Sequence, residues 1–107
     1  MPDLRPEHLV IVRAILEQYL PGREVRIFGS RARGSAQPFS DLDLVIMGDE
    51  PVPDIALATM REAFDESDLP FRVDLVLWNR APAPLREVIT RTSVSIPVDP
   101  AKEQTHV

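Results

Sequence analysis

The stretch GSRARGSAQPFSDLDLVI, residues 29–46, decides the fold. It opens on a glycine-serine turn, carries Arg31 and Arg33, and closes on two aspartates set among apolar residues. Alternation over residues 41–47 predicts a strand, with Leu42, Leu44 and Ile46 on one face and Asp41, Asp43 and Val45 on the other. A small-residue turn that leads into a helical turn offers free N–H groups to a phosphate. Two carboxylates on one strand face suit a hard cation such as magnesium, which takes oxygen ligands and keeps positions open for water and substrate phosphates. The combination points to metal-assisted phosphoryl chemistry.

Upstream, residues 24–28 alternate polar and apolar, with Val25 and Ile27 on one face, and predict a strand running straight into Gly29-Ser30. Before it, Leu9, Val12, Leu16 and Tyr19 recur at helical spacing over residues 6–20, and Pro21-Gly22 stops that helix. A short helical turn is expected from Ser30 to Gly34. Downstream, residues 54–67 predict a helix with Asp54 as N-cap and Ala56, Met60, Ala63 and Phe64 as its apolar stripe, ending before Pro70. Residues 71–78 predict a third strand, in which Arg72, Asp74, Val76 and Trp78 share one side. A last helix from about Pro84 is expected to bury Leu85, Val88, Ile89 and Thr92, followed by an extended piece through Val94, Ile96 and Val98.

These elements predict an α+β fold. It is a small mixed sheet of three or four strands, with helices mainly on one face and the carboxylates on the other. The expected helix-side core is Leu9, Val12, Leu16, Met60, Phe64, Val88 and Ile89, whose burial should dominate stability. A chain of 107 residues is expected to form one domain over residues 1–107, with a core of about residues 5–98 and a frayed tail over 100–107.

Composition narrows the chemistry. With 44% hydrophobic and 27% charged residues the chain is expected to be globular. A net charge of -5 argues against a broad footprint for duplex DNA or an anionic membrane. The absence of cysteine removes disulfides, thiolate zinc sites and cysteine nucleophiles. Neither a signal peptide nor an apolar run of membrane-spanning length is visible, so the expected location is the cytoplasm.

Each candidate residue has a plainer alternative. Asp41 can cap a turn after Ser40, and Asp43 can sit on a solvated strand face. Against this, the pair closely follows a Gly-Ser turn, and Asp74 lies in an otherwise apolar strand, where an unpartnered carboxylate is costly to bury. Asp74 can activate an attacking hydroxyl while Asp41 and Asp43 hold metal. Arg31 and Arg33 can offset charge on a triphosphate, or pair with acidic neighbours at the surface; Arg33 is the stronger candidate. His8 and His106 lack partner spacing for a metal site or a triad, and Phe39 and Trp78 are more often packing residues than base-stacking ones.

GSRARG followed five residues later by SDLDLVI resembles the GSxxRG...SDxDL signature of the minimal nucleotidyltransferases, within the DNA polymerase beta-like superfamily. RVDLVLW resembles the family's third acidic strand, so the likeness runs from the first helix to about residue 98. It implies a nucleotidyltransferase fold with Gly29, Ser30, Arg33 and Ser40 at the nucleotide. It further implies Asp41, Asp43 and Asp74 as catalytic carboxylates and metal ligands for two Mg2+ ions, and ATP as substrate. The implied reaction moves a nucleoside monophosphate from a triphosphate to a hydroxyl and releases pyrophosphate.

Small members resemble antitoxins that pair with HEPN-domain toxins, generally ribonucleases, and attach AMP to a toxin tyrosine. The implied partner is therefore a HEPN-type toxin. Two other functions stay open: an antitoxin that neutralises by binding alone, and a small-molecule nucleotidyltransferase of the antibiotic-modifying type.

Overall fold

The computed structural model describes residues 4–96. Its order is α1 (Pro6–Tyr19), β1 (Val25–Phe28), α2 (Ser30–Arg33), β2 (Leu42–Ile46), α3 (Asp54–Asp65), β3 (Val73–Leu77), a 3-10 turn (Trp78–Arg80), α4 (Ala83–Thr92) and β4 (Val94–Ser95). The expected tail and Val98 lie outside the described residues.

The four strands form one mixed sheet in the order β3-β2-β1-β4. β1 runs antiparallel to both β2 and β4, and β2 runs parallel to β3. The antiparallel pair is joined by α2 and a loop. The parallel pair needs a long crossover, which α3 supplies.

Alternate strand residues feed two apolar clusters. On one face Val25, Ile27, Leu42, Leu44, Ile46, Val73, Leu75 and Leu77 meet Val12 and Leu16 of α1 and Leu57, Met60 and Phe64 of α3. Several of these side chains are fully shielded, each contributing about 1.5–3 kcal/mol by leaving water. On the other face Phe28, Val45 and Ile89 form a smaller cluster, edged by Met47, Val76, Trp78 and Leu85.

That second cluster revises the expected core. Ile89 of α4 packs on the same side as the carboxylates, against Phe28 and Val45, not with α1 and α3. Val88, expected inside, is 41% exposed, and Leu9 is half-buried.

Element ends also shift. Pro53, not Asp54, is the N-cap of α3; proline's extended backbone starts the helix, and Asp54 sits in the first turn, where its Oδ1 accepts from Arg80 at 3.3 Å. β3 is shorter than residues 71–78, because Phe71 is drawn under Arg31 before the ladder begins and Trp78 turns into the 3-10 segment. β2 begins at Leu42, which leaves Asp41 just outside the ladder. Among the described residues no helix is long and apolar enough to cross a membrane.

Candidate active site

β1 delivers the chain directly into Gly29, whose φ of 77° is a left-handed value that favours glycine. Space demands glycine as well. A Cβ here would overlap the Asp43 carboxylate, so the turn and the acidic strand touch with nothing between them.

Ser30 opens α2, a four-residue helix closed by Gly34 in the αL conformation, whose N–H donates to the Ser30 carbonyl. Ser30 is half-buried beside Gly29, and Arg33 is exposed on the same short helix. The loop that follows is tied by its own polar groups. The Gln37 N–H donates to Ser40 Oγ at 2.9 Å, and the Ser40 N–H donates to the Gln37 carbonyl at 3.0 Å. Ser40's hydroxyl is thus engaged within its loop.

Register brings the carboxylates together. Asp43 is paired with Phe28 of β1 on one side and Asp74 of β3 on the other, so one row crosses three strands as phenylalanine, aspartate, aspartate. Burial first, then the charges of Asp74 and Asp41, push the Asp43 carboxyl up from its ordinary value. The three aspartates therefore share one electrostatic site. Asp41 is exposed, and the Asp74 side chain is 39% exposed. Among the described residues no group of three His, Cys, Asp or Glu side chains is arranged to hold a metal ion by itself.

Two arginines hold positions at the site that the residue pattern does not assign by itself. Arg72, just before β3, donates from Nε and Nη2 to Asp74 Oδ1, both at 3.3 Å, and so places a cation on the third carboxylate. The i, i+2 spacing of Arg72 and Asp74 puts both on one strand face and was the available clue. Arg31, considered for the triphosphate, is only 5% exposed. It donates to the carbonyls of Ser40 and Pro38 and lies 4.0 Å over the Phe71 ring, so it is spent on the loop rather than presented to a ligand.

At the other end of this face Arg86 of α4 lies 4.9 Å over the Trp78 ring and donates from Nε to the Trp78 carbonyl at 3.0 Å. Trp78 is thereby a packing residue. His8 is edge-on to Phe71 with centroids 5.4 Å apart, likewise as packing.

A turn shaped for phosphate, in van der Waals proximity to a row of strand carboxylates, is an arrangement for moving a phosphoryl group. Residues 9–96 match the family model described as "Nucleotidyltransferase domain", and the chain belongs to that family. It is 46% identical over 94 residues to the "Probable protein adenylyltransferase MntA" of Haemophilus influenzae, covering 88% of this chain and 82% of that protein.

Solved structures share the fold. A chain of a toxin-antitoxin crystal structure with AMP-PNP has a TM-score of 0.69 at 20% identity, covering 90% of this chain and 77% of its own. A chain from the MntA-HepT toxin-antitoxin complex has a TM-score of 0.64 at 16% identity, covering 94% and 78%. A chain from the complex of tri-AMPylated Shewanella oneidensis HEPN toxin with its MNT antitoxin has a TM-score of 0.62 at 16% identity, covering 90% and 74%.

Proposed function

We propose that the chain is a protein adenylyltransferase that moves AMP from ATP to a hydroxyl, a tyrosine by the family likeness, of a HEPN-type toxin and thereby acts as its antitoxin. The single observation that carries the chemistry is the row of Asp43 and Asp74 packed against the Gly29 turn. The acceptor and the nucleotide are supported by the adenylyltransferase name of the relative at 46% identity and by the toxin-antitoxin neighbours.

Within this reaction the acceptor oxygen forms a bond to the α-phosphorus, the bond from that phosphorus to the bridging oxygen breaks, and pyrophosphate leaves. Asp74 takes the proton of the acceptor hydroxyl. Gly29 and Ser30 seat the outer phosphates with backbone N–H groups, and the exposed Arg33 offsets their charge. Ser40 fixes the approach of its loop to the nucleotide.

The residues fit a divalent cation. Asp43, whose carboxyl is raised by burial and then by the charges of Asp74 and Asp41, sits in an oxygen donor set in need of positive charge, and magnesium completes its shell with water and substrate oxygens, so no closed protein cage is required. Asp41, Asp43 and Asp74 would hold it, and two such ions supply charge neutralisation on the phosphates and in-line alignment.

The test is intact-mass analysis of the partner toxin after incubation with this protein, ATP and magnesium. Added units of AMP are expected, and the double variant Asp41→Asn, Asp43→Asn should add none. Transfer that survives the double change overturns the site. Protection of cells by an inactive double variant would identify a neutraliser that acts by binding.

A further inference from the structure

Arg31 is buried beside the site, with its guanidinium turned to the loop carbonyls and the Phe71 ring. It sits over Phe71, a member of the core cluster shared with α1 and α3, and so approaches the loop from the helix-covered side. Its fork donates twice to the Ser40 carbonyl, from Nε at 3.0 Å and Nη2 at 2.8 Å, and once to the Pro38 carbonyl at 3.1 Å.

The Ser40 carbonyl belongs to the peptide bond that carries the Asp41 N–H. Fixing that oxygen fixes the plane from which Asp41 departs. Asp41 needs such a hold because it lies outside β2: the first bond beyond it is the Leu42 N–H donating to the Arg72 carbonyl at 2.8 Å. On the other side, among the described residues, stand the Gln37 and Ser40 turn bonds and the bonds from Arg31.

We infer that Arg31 is a positioning residue for metal binding: it acts through the Ser40 carbonyl to set Asp41 against Asp43, and ties the phosphate turn to the metal-bearing loop. This rests on the function proposed above and names the device that makes its metal site. Arginine is required over lysine because one planar group must reach two carbonyls while stacking on an aromatic face. An outer residue that orients a metal ligand commonly changes metal affinity about 10- to 100-fold when lost.

The experiment measures Mn2+ binding to the full chain by electron paramagnetic resonance, without nucleotide or partner. Arg31→Ala is expected to weaken Mn2+ binding at least about 10-fold, and Arg31→Lys measurably but less. Low concentrations of guanidinium, below those that unfold the chain, should restore part of the affinity of Arg31→Ala and leave the wild type unchanged. Leu16→Ala, a core change chosen to lower Tm comparably, should bind Mn2+ as the wild type does.

Should Arg31→Ala not fold, Arg31→Lys against Leu16→Ala decides. Unchanged Mn2+ affinity in the Arg31 variants, or an equal loss in Leu16→Ala, overturns the inference while the metal site stands. A wild type that takes up no Mn2+ overturns the metal site and the inference together.

Discussion

The two faces of the sheet are built from the same strands and do opposite things. On the α1 and α3 side the inward residues of β1, β2 and β3 are aliphatic and buried, and Arg31 enters only at the margin, over Phe71. On the other side the row begins with an apolar residue, Phe28, and then turns to Asp43 and Asp74, while Ile89 of α4 packs on Phe28 and Val45 beside it. One face therefore supplies the free energy of folding, and the other spends some of it to keep three carboxylates close together. The lesson is that strand alternation separates stability from chemistry at a spacing of one residue.

That separation can be broken or sharpened. The largest effect is expected from the double variant Asp41→Asn, Asp43→Asn, which should lower AMP transfer by about 10³-fold or more, the scale of losing a principal electrostatic group, while Tm holds or rises. Thermal melts beside the mass assay check both halves. Met60→Ala should do the reverse: it should cost about 2–5 kcal/mol in denaturant unfolding by opening a cavity under the sheet, with transfer per folded molecule little changed.

Gly29→Ala touches both faces of the problem. Its φ of 77° and the overlap of a Cβ with the Asp43 carboxylate should cost about 1–3 kcal/mol and displace the carboxylate, so stability and transfer fall together. A loss of stability with transfer intact would show that Asp43 tolerates displacement.

The smallest effect is also the most directional. Asp43 has its folded carboxyl raised, so the folded state pays for its charge above that raised value and is relieved as pH falls toward the unfolded value. Asp43→Asn should therefore stabilise the metal-free protein at neutral pH, by a few degrees in Tm at most, with the advantage shrinking as the medium is acidified through the carboxyl range. Added Mg2+ should stabilise the wild type and not the variant.

Much of this was legible in the sequence because two periodicities carry it. Period-two alternation over 41–47 and 71–78 located both acidic strands and the shared face of Asp43 and Asp74, and helical spacing located α1, α3 and α4. The Gly29 turn and its junction with β1 were also legible, since glycine and serine next to a strand have few other uses.

What could not be seen depends on contacts between segments. Which side of the sheet α4 would take is settled by the path of the chain after the 3-10 turn, so Val88 and Ile89 could not be sorted by spacing alone. Arg31 and Arg33 are two residues apart in one short helix, and only the position of the loop decides that one is buried against carbonyls and the other exposed. Asp41 falls off the end of the strand for a similar reason: the ladder starts where β3 can pair with it, at Leu42 opposite Val73.

The parallel pairing of β2 with β3 has a kinetic consequence. Asp43 and Asp74 stand side by side, but the chain between them must first form α3 and carry β3 back alongside β2, and non-local pairings of this kind are slow to close. The turn, Asp41 and Asp43 can be assembled from a contiguous piece of chain; the third carboxylate arrives only when the crossover docks. A nascent chain that has not yet emerged through β3 can thus carry most of the signature and still be inert. On the function proposed above, competence waits for β3 to dock beside β2.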